Sequence, residues 1–256
     1  MRLLVVIALA GALAGLADLA PAQSQTSERA SASPTASPKA VVELFTSQGC
    51  SSCPAADALL GRLAKRDDVI ALSFSVDVWD YLGWRDTLAS PKFTERQRTY
   101  ARTRGDGAIY TPQAVVNGMA HMNGADEGKI ARAIEKTGKT IAATVVPIRL
   151  SKEEGKLVIE TGAAPPGVQP KDATLWLAVI AKSVDVTISR GENQGRTVTY
   201  NNVVRELIPI GMWNGSPMTV QLQRDSFMQA GTDRCAVLLQ QGKAGPIIGA
   251  ALMAQF

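Results

Sequence analysis

Residues 43–54 read Glu-Leu-Phe-Thr-Ser-Gln-Gly-Cys-Ser-Ser-Cys-Pro, and this stretch decides the fold. The apolar, β-rich run at residues 40–45 predicts a buried strand, and residues 46–49 supply a turn. A helix follows from Ser51, and Pro54 suits its first turn because the missing N–H would have no partner there. Its apolar face is predicted to carry Ala55, Leu59, Leu60 and Leu63, with Asp57, Arg62 and Lys65 elsewhere.

The two cysteines of this stretch are placed for redox chemistry. Cys50 lies where the strand gives way to the helix, and unpaired amides and the helix dipole favour a thiolate there. Cys53 lies one turn further on, close enough to resolve a mixed disulfide. A C-x-x-C pair alone also fits a zinc site or a structural disulfide, so its surroundings have to decide.

The segments that follow alternate between strands and helices. Strands are predicted at residues 69–76, 113–116 and 119–122, and helices at residues 91–104 and 126–136. Asn117-Gly118 is a strong hairpin signal between the last two strands. The predicted order over residues 40–137 is therefore β-α-β-α-β-β-α.

This order, with Cys50-Ser51-Ser52-Cys53 after the first strand and Thr111-Pro112 before the third, resembles the thioredoxin superfamily. The resemblance implies that Pro112 is cis and faces the cysteine pair, and that the Thr111 backbone pairs with an extended substrate peptide. It also implies a carboxylate beneath the cysteines, for which Glu43 is the candidate. Such a group could take the proton of Cys53 if burial raised its pKa, whereas the alternative is a satisfied or edge-exposed strand residue.

A closer similarity is to a family of secreted bacterial thioredoxin-like proteins of unknown function. It rests on residues 43–54, 77–84 and 110–113 and extends over most of the chain, but it implies little about activity. The Ser-Ser dipeptide between the cysteines matches neither reductive thioredoxins nor strong periplasmic oxidants. The direction of the redox reaction therefore stays open.

Residues 77–86 concentrate aromatic and acidic side chains between the second strand and the next helix. Trp79 and Trp84 could form a lid or substrate contact beside Cys50, or they could anchor the insertion to its own domain. The next helix carries a basic stripe, which we interpret as a solvated face, with attraction of acidic partners or lipid headgroups as the alternative. The stripe comprises Lys92, Arg96, Arg98, Arg102 and Arg104.

The other ligand-type residues do not favour a metal site. Zinc could be held by Cys50, Cys53, Cys235 and His121, but Cys235 and His121 fall in different predicted domains, so we predict no metal. Cys235 is interpreted as a buried core thiol, with a regulatory or intermolecular disulfide as the alternative. His121, the single histidine, is interpreted as structural. Thiol exchange requires no organic cofactor, and none is expected.

From about residue 140 the pattern becomes one of strands. Residues 184–188 and 218–222 alternate as half-buried strands do, while residues 175–181 and 235–239 are apolar on both faces. These features predict a β-sandwich-like second region, or strands packed back onto the first.

The N-terminus predicts export. Residues 1–22 combine an early arginine, an apolar run and small residues before a cleavage point, as a signal peptide does, with an uncleaved anchor as the alternative. Residues 23–38 lack large apolar side chains and predict a disordered linker. We expect a periplasmic or secreted protein without a stable membrane span after cleavage.

These observations predict an α/β protein: a thioredoxin-like domain at residues 39–138 and a β-rich region at residues 139–256. The predicted function is thiol–disulfide exchange with a protein or small-molecule thiol or disulfide, together with a further redox partner. The alternatives are a binding module with a structural disulfide, or a peroxide or thiol reductase. A net charge of +4 is too small to favour nucleic acid as a partner.

Overall fold

The strand, turn and helix predicted around the cysteines are present. Strand β1 is Ala40–Thr46 and helix α1 is Cys53–Leu63. The computed structural model describes residues 38–256. The predicted signal peptide and all of the predicted linker except its last residue lie outside the described residues.

The predicted order of elements is confirmed through the first half of the chain. The next elements are β2 (Val69–Ser75), α2 (Pro91–Arg104), β3 (Gln113–Val116), β4 (Ala120–Asn123) and α3 (Glu127–Ile141). Helix α3 continues five residues past its predicted end, because Thr137 and Ile141 extend its buried face. No helix among residues 38–256 is long and apolar enough to cross a membrane.

The second half consists of strands, as predicted, but two of them are much longer than expected. The strands are β5 (Ile148–Glu153), β6 (Lys156–Thr161), β7 (Ala173–Thr187), β8 (Thr197–Trp213), β9 (Met218–Gln223), β10 (Arg234–Gln241) and β11 (Ile247–Met253). The segments predicted separately at residues 175–181 and 184–188 belong, except for residue 188, to the single strand β7. Its buried first part and its more exposed end have different sequence patterns, which is why the sequence indicates two strands.

Two sheets contain these strands. The larger has the order β11-β10-β7-β8-β2-β1-β3-β4, and the smaller has the order β5-β6-β9. Strands β1 and β2 are parallel, and β2 meets β8 in a short parallel bridge at Ser73 and Val203. The strands of the second half thus extend the first sheet, and the division at residues 138 and 139 remains a prediction.

The smaller sheet covers the outer part of the larger one. Leu157 and Ile159 of β6 share a core with Leu175 of β7 and Val237 of β10, which gives the second half its sandwich-like packing. The fold is therefore the predicted α/β class, a thioredoxin-like arrangement followed by a sandwich-like region.

The helices lie on both faces of the larger sheet. Alternation along β1 directs Val42 and Leu44 to the face covered by α1 and α3, and Val41 and Phe45 to the face covered by α2. The cysteine pair belongs to the α1 side. Every side chain of β1 therefore faces one of two separate cores.

Glu43 lies on the α2 face, where it is completely buried. The Arg96 guanidinium donates from Nε to Glu43 Oε1 over 2.7 Å, and the Tyr100 hydroxyl donates to the other carboxylate oxygen. Arg96 Nη2 also donates to Gln240 of β10 over 3.1 Å. The predicted position of Glu43 beneath the cysteines is wrong, because its place on the strand directs it away from α1. Arg96 is likewise not part of a solvated face.

Replacing Arg96 with Met tests this buried network. The Arg96→Met variant should lower the free energy of unfolding by about 3–5 kcal/mol, because the Glu43 carboxylate stays buried without its cation. Denaturant titration measures the change. Arg62→Met is the matched control, since the Arg62–Glu127 ion pair is largely exposed and should contribute less than about 1 kcal/mol. Equal losses in the two variants would contradict the special role of the buried pair.

Candidate functional site

Cys50 and Cys53 form a disulfide at the start of α1, with their Cα atoms 5.4 Å apart. The helix begins at Cys53, two residues later than predicted, so Cys50 lies in the turn before it. Cys50 is 5% exposed and Cys53 is completely buried, while Ser51 and Ser52 are exposed. Exchange chemistry requires an accessible Cys50 and a shielded Cys53. Cys53 is shielded, but Cys50 is buried as well.

The Thr111–Pro112 peptide bond is cis, and Pro112 lies immediately before β3. A side chain at Gly124 would place its Cβ 3.2 Å from both Pro112 Cβ and Ala56 Cβ. Pro112 therefore packs near the first turns of α1, the helix that carries Cys53. The Thr111 backbone makes no hydrogen bond to another backbone group within residues 38–256.

Trp79 and Trp84 hold the insertion against its own domain. Trp79 Nε1 donates to Thr111 Oγ1 over 2.7 Å, and Trp84 Nε1 donates to Gln48 Oε1 over 2.8 Å. Both side chains are half-buried. These hydrogen bonds agree with the alternative in which Trp79 and Trp84 anchor the insertion. Contact with a substrate stays a prediction for both residues.

Gln48, two residues before Cys50, makes several hydrogen bonds through both its backbone and its side chain. Its sequence context does not indicate these bonds. Its backbone N–H donates to Asp86 Oδ2 over 2.8 Å, and its side chain bonds Trp84 and Thr87. Burial raises the pKa of Asp86 to about 6, although the backbone amides of Gln48 and Leu88 oppose the shift. The insertion thus fixes the loop before Cys50.

A second segment reaches the same loop from the other half of the chain. We call residues 188–196, between β7 and β8, the β7–β8 loop. Asn193 is buried there and donates from Nδ2 to the carbonyl oxygens of Gln48, over 2.9 Å, and Cys50, over 2.8 Å. Gly191 and Gly195 mark this segment as a turn in the sequence, but no local pattern indicates where the turn docks.

Asp57 is the buried carboxyl nearest in sequence to the cysteines. It lies one helical turn after Cys53, on the buried face of α1. The helical pattern predicts Ala55 on that face and places Asp57 elsewhere. Within residues 38–256, neither oxygen of Asp57 has a partner in good hydrogen-bonding geometry. Burial raises the pKa of Asp57 to about 8; the Thr46 hydroxyl, which lies close by without good hydrogen-bonding geometry, opposes this shift, and the nearby Asp86 carboxylate adds to it. The prediction that Asp57 lies off the buried face was wrong.

The sheet beneath Asp57 is polar at this end. Thr46, Ser73 and Ser75 alternate with residues of the opposite face, so they lie on the α1 side of β1 and β2. Their hydroxyls are buried and have no hydrogen-bond partner in the described part of the chain. Buried polar groups of this kind are usually satisfied by internal water. An acid on an otherwise apolar helix face, four residues after Cys53, was the available sequence signal for this polar site.

The remaining candidate residues lie elsewhere. Cys235 is completely buried in the core between the two sheets, where burial raises the pKa of its thiol to about 12. His121 contacts Tyr110 and Asp106. In the described part of the chain, no group of three or more His, Cys, Asp or Glu side chains is arranged to hold a metal ion. The four residues of the zinc alternative are thus not brought together.

Comparisons with known proteins give a family and a related structure. A family described as a protein of unknown function, DUF1223, matches residues 41–240. An X-ray crystal structure of a protein from Agrobacterium tumefaciens is similar with a TM-score of 0.75 and 37% sequence identity, covering 85% of this chain and 94% of that chain. A comparison with curated proteins found no match.

The raised pKa of Asp57 predicts a pH dependence of stability. Its ordinary value is 3.8, so the folded protein keeps a proton that the unfolded chain has lost between about pH 4 and pH 8. Through this group alone, the free energy of unfolding falls as the pH rises across that range. Relative to wild type, Asp57→Asn should therefore become more stable with rising pH, by on the order of a few kcal/mol at pH 8.

Denaturant titrations of both proteins at several pH values measure this difference. Asp67→Asn is the matched control, since Asp67 is an exposed acid just after α1 and its replacement should leave the pH dependence unchanged. A constant difference between wild type and Asp57→Asn from pH 5 to pH 8 would show that Asp57 ionises normally.

Proposed function

Since the chain belongs to DUF1223, a family of proteins of unknown function, its activity has to be inferred from its site, and we propose that it is an exported thiol–disulfide exchange protein. One observation carries the proposal. The Cys50–Cys53 disulfide lies at the start of α1, with Cys53 shielded and one turn before the buried Asp57. The likeness to the thioredoxin superfamily in motif and element order supports the same conclusion.

The chemistry proceeds through Cys50. In the reducing direction, the Cys50 thiolate attacks a substrate disulfide, forms a mixed disulfide and releases one substrate thiolate. Cys53 then loses its proton and attacks the Cys50 sulfur. This step forms the Cys50–Cys53 disulfide and releases the second substrate thiolate, so the two electrons of the pair pass to the substrate. Oxidation of a dithiol follows the same steps in reverse.

Asp57, in place of Glu43, is the proposed proton acceptor for Cys53. A carboxyl with a pKa of about 8 is close to the ordinary thiol value of about 8.5, so transfer between them costs little. The unpartnered hydroxyls of Thr46 and Ser75 could bind the water needed to bridge them. Glu43 is excluded from this role because Arg96 and Tyr100 occupy its carboxylate on the other face of the sheet.

Substrate is proposed to bind beside the cysteine pair, at the surface formed by Thr111 and Pro112. The Thr111 backbone groups are free to pair with an extended peptide, since they bond no other backbone group of residues 38–256. Trp79 supports this segment through the Thr111 hydroxyl. A protein thiol or disulfide is the proposed substrate, with a separate redox partner, in a periplasmic or secreted setting.

The competing function is a binding module in which the disulfide is structural, and the 5% exposure of Cys50 favours it. Equilibration with glutathione buffers separates the two. Exchange activity predicts a reduction potential of about −120 to −270 mV and a depressed Cys50 pKa. A potential below about −300 mV with an unreactive Cys50 would establish the structural disulfide instead.

The role of Asp57 predicts a selective kinetic defect. Asp57→Asn should slow the resolving attack of Cys53 by about 10²-fold at pH 8, where about half of wild-type Asp57 is ionised and can accept the thiol proton. The attack of Cys50 should change much less. Stopped-flow measurement of mixed-disulfide formation and decay resolves the two steps, and the defect should shrink at higher pH, where a thiol ionises without a nearby acceptor.

Glu43→Gln is the matched control, a buried carboxylate changed on the opposite face of the sheet. It should reduce stability but leave the resolving rate of the folded protein unchanged. If Glu43→Gln slows resolution and Asp57→Asn does not, the assignment of the proton acceptor is wrong.

A further inference from the structure

The β7–β8 loop is held in a defined conformation over the cysteine motif. Its backbone closes on itself, with Ile188 N–H bonded to Arg196 O over 2.9 Å and Gly195 N–H bonded to Ile188 O over 2.8 Å. The Ile188 side chain is completely buried, which fixes the base of the loop. Asn193 projects from this frame to the Gln48 and Cys50 carbonyls.

The neighbouring residue Glu192 brings a negative charge to the same place. Its carboxylate accepts a hydrogen bond from the Ser51 backbone N–H over 3.3 Å. Ser51 directly follows Cys50 and lies just before the N-terminus of α1, where unpaired amides stabilise negative charge. The Glu192 carboxylate therefore occupies an amide next to the sulfur that becomes a thiolate on reduction.

Ser52 of the motif has the opposite effect and can stabilise the Cys50 thiolate. Ser52 Oγ lies 3.5 Å from Cys50 Sγ, so its hydroxyl can donate to the thiolate. The other carboxyls near the motif, Asp57 in α1 and Asp86 in the insertion, are buried. Glu192 is exposed, so its charge can be removed without opening the core.

We propose that the β7–β8 loop controls the reactivity of the cysteine pair, with Asn193 fixing the loop on the motif and the Glu192 carboxylate opposing negative charge on the Cys50 sulfur. Glu192 is in this sense a positioning residue. The inference rests on the proposed function and adds its regulation by the second half of the chain. A loop that moved away from the motif would leave the Ser51 amide free for the thiolate.

The electrostatic consequence has a definite sign. A carboxylate near Cys50 disfavours the thiolate and so raises the pKa of the thiol. A less stable thiolate makes the reduced pair less stable, so the disulfide is favoured. Removing the charge should therefore lower the Cys50 pKa and shift the equilibrium with glutathione towards the reduced pair.

The test measures the Cys50 pKa in reduced protein, by thiolate absorbance against pH, in wild type and Glu192→Gln. We expect the variant to have a Cys50 pKa lower by about 0.5–1. The glutathione equilibrium should favour the reduced pair by about threefold more at pH 8. Both effects should diminish in high salt, because Glu192 is exposed.

Glu127→Gln is the matched control, since Glu127 is an exposed carboxylate that bonds Arg62 of α1. It should leave the Cys50 pKa unchanged. An unchanged pKa in Glu192→Gln, or an equal shift in Glu127→Gln, overturns the proposal. The pKa measurement requires no turnover, so it distinguishes failure of this inference from failure of the exchange function itself.

Asn193→Ala tests the other half of the proposal. Without the two hydrogen bonds of Asn193, the loop should no longer hold Glu192 at Ser51. Adding Glu192→Gln to Asn193→Ala should then produce less than half of the pKa change that it produces alone. A full change in the double variant would show that Glu192 acts independently of Asn193.

Discussion

The buried ion pair of Glu43 and Arg96 joins the parts of this protein that the chain order separates. A carboxylate and a guanidinium that are almost completely removed from water need complete hydrogen bonding, since an uncompensated buried charge is strongly destabilising. Tyr100 supplies one bond to the carboxylate, and Gln240 of β10 accepts from the guanidinium. The network therefore requires β1, α2 and β10 to be assembled together. This network therefore holds the first half of the fold and the strands of the second half together.

This joining also determines the surroundings of the cysteine pair. Because the second half extends the sheet beyond β2, the long strands β7 and β8 carry their connecting loop back to the motif. Asn193 then bonds the carbonyls on either side of Gly49, while the insertion bonds the amide of Gln48. The loop before α1 is thus held between two segments distant in sequence.

The parts of the fold that could be predicted are those with local causes. Helix α2 and strand β3 have the bounds that their sequence patterns indicated, because proline, glycine and apolar spacing mark their ends. The assignment of Glu43 failed because a strand with both faces buried has no polar side to orient it. Asp57 was missed for a related reason. Helical spacing identifies an apolar face, but it does not show that an acid can be enclosed within that face beside polar strand ends.

The sequence by itself determined the β-α-β-α-β-β-α order, the position of Cys50 and Cys53 at the start of a helix, and the strand-rich character of the second half. These features follow from side-chain periodicity and turn chemistry, which act over a few residues. Tertiary structure alone decided that β8 would join β2, that Glu43 would face Arg96, and that Asn193 would bind the Cys50 carbonyl. Each of these contacts joins residues far apart in the chain. Their partners are selected by the need to satisfy buried polar groups once the sheet has assembled, and no local pattern records that need.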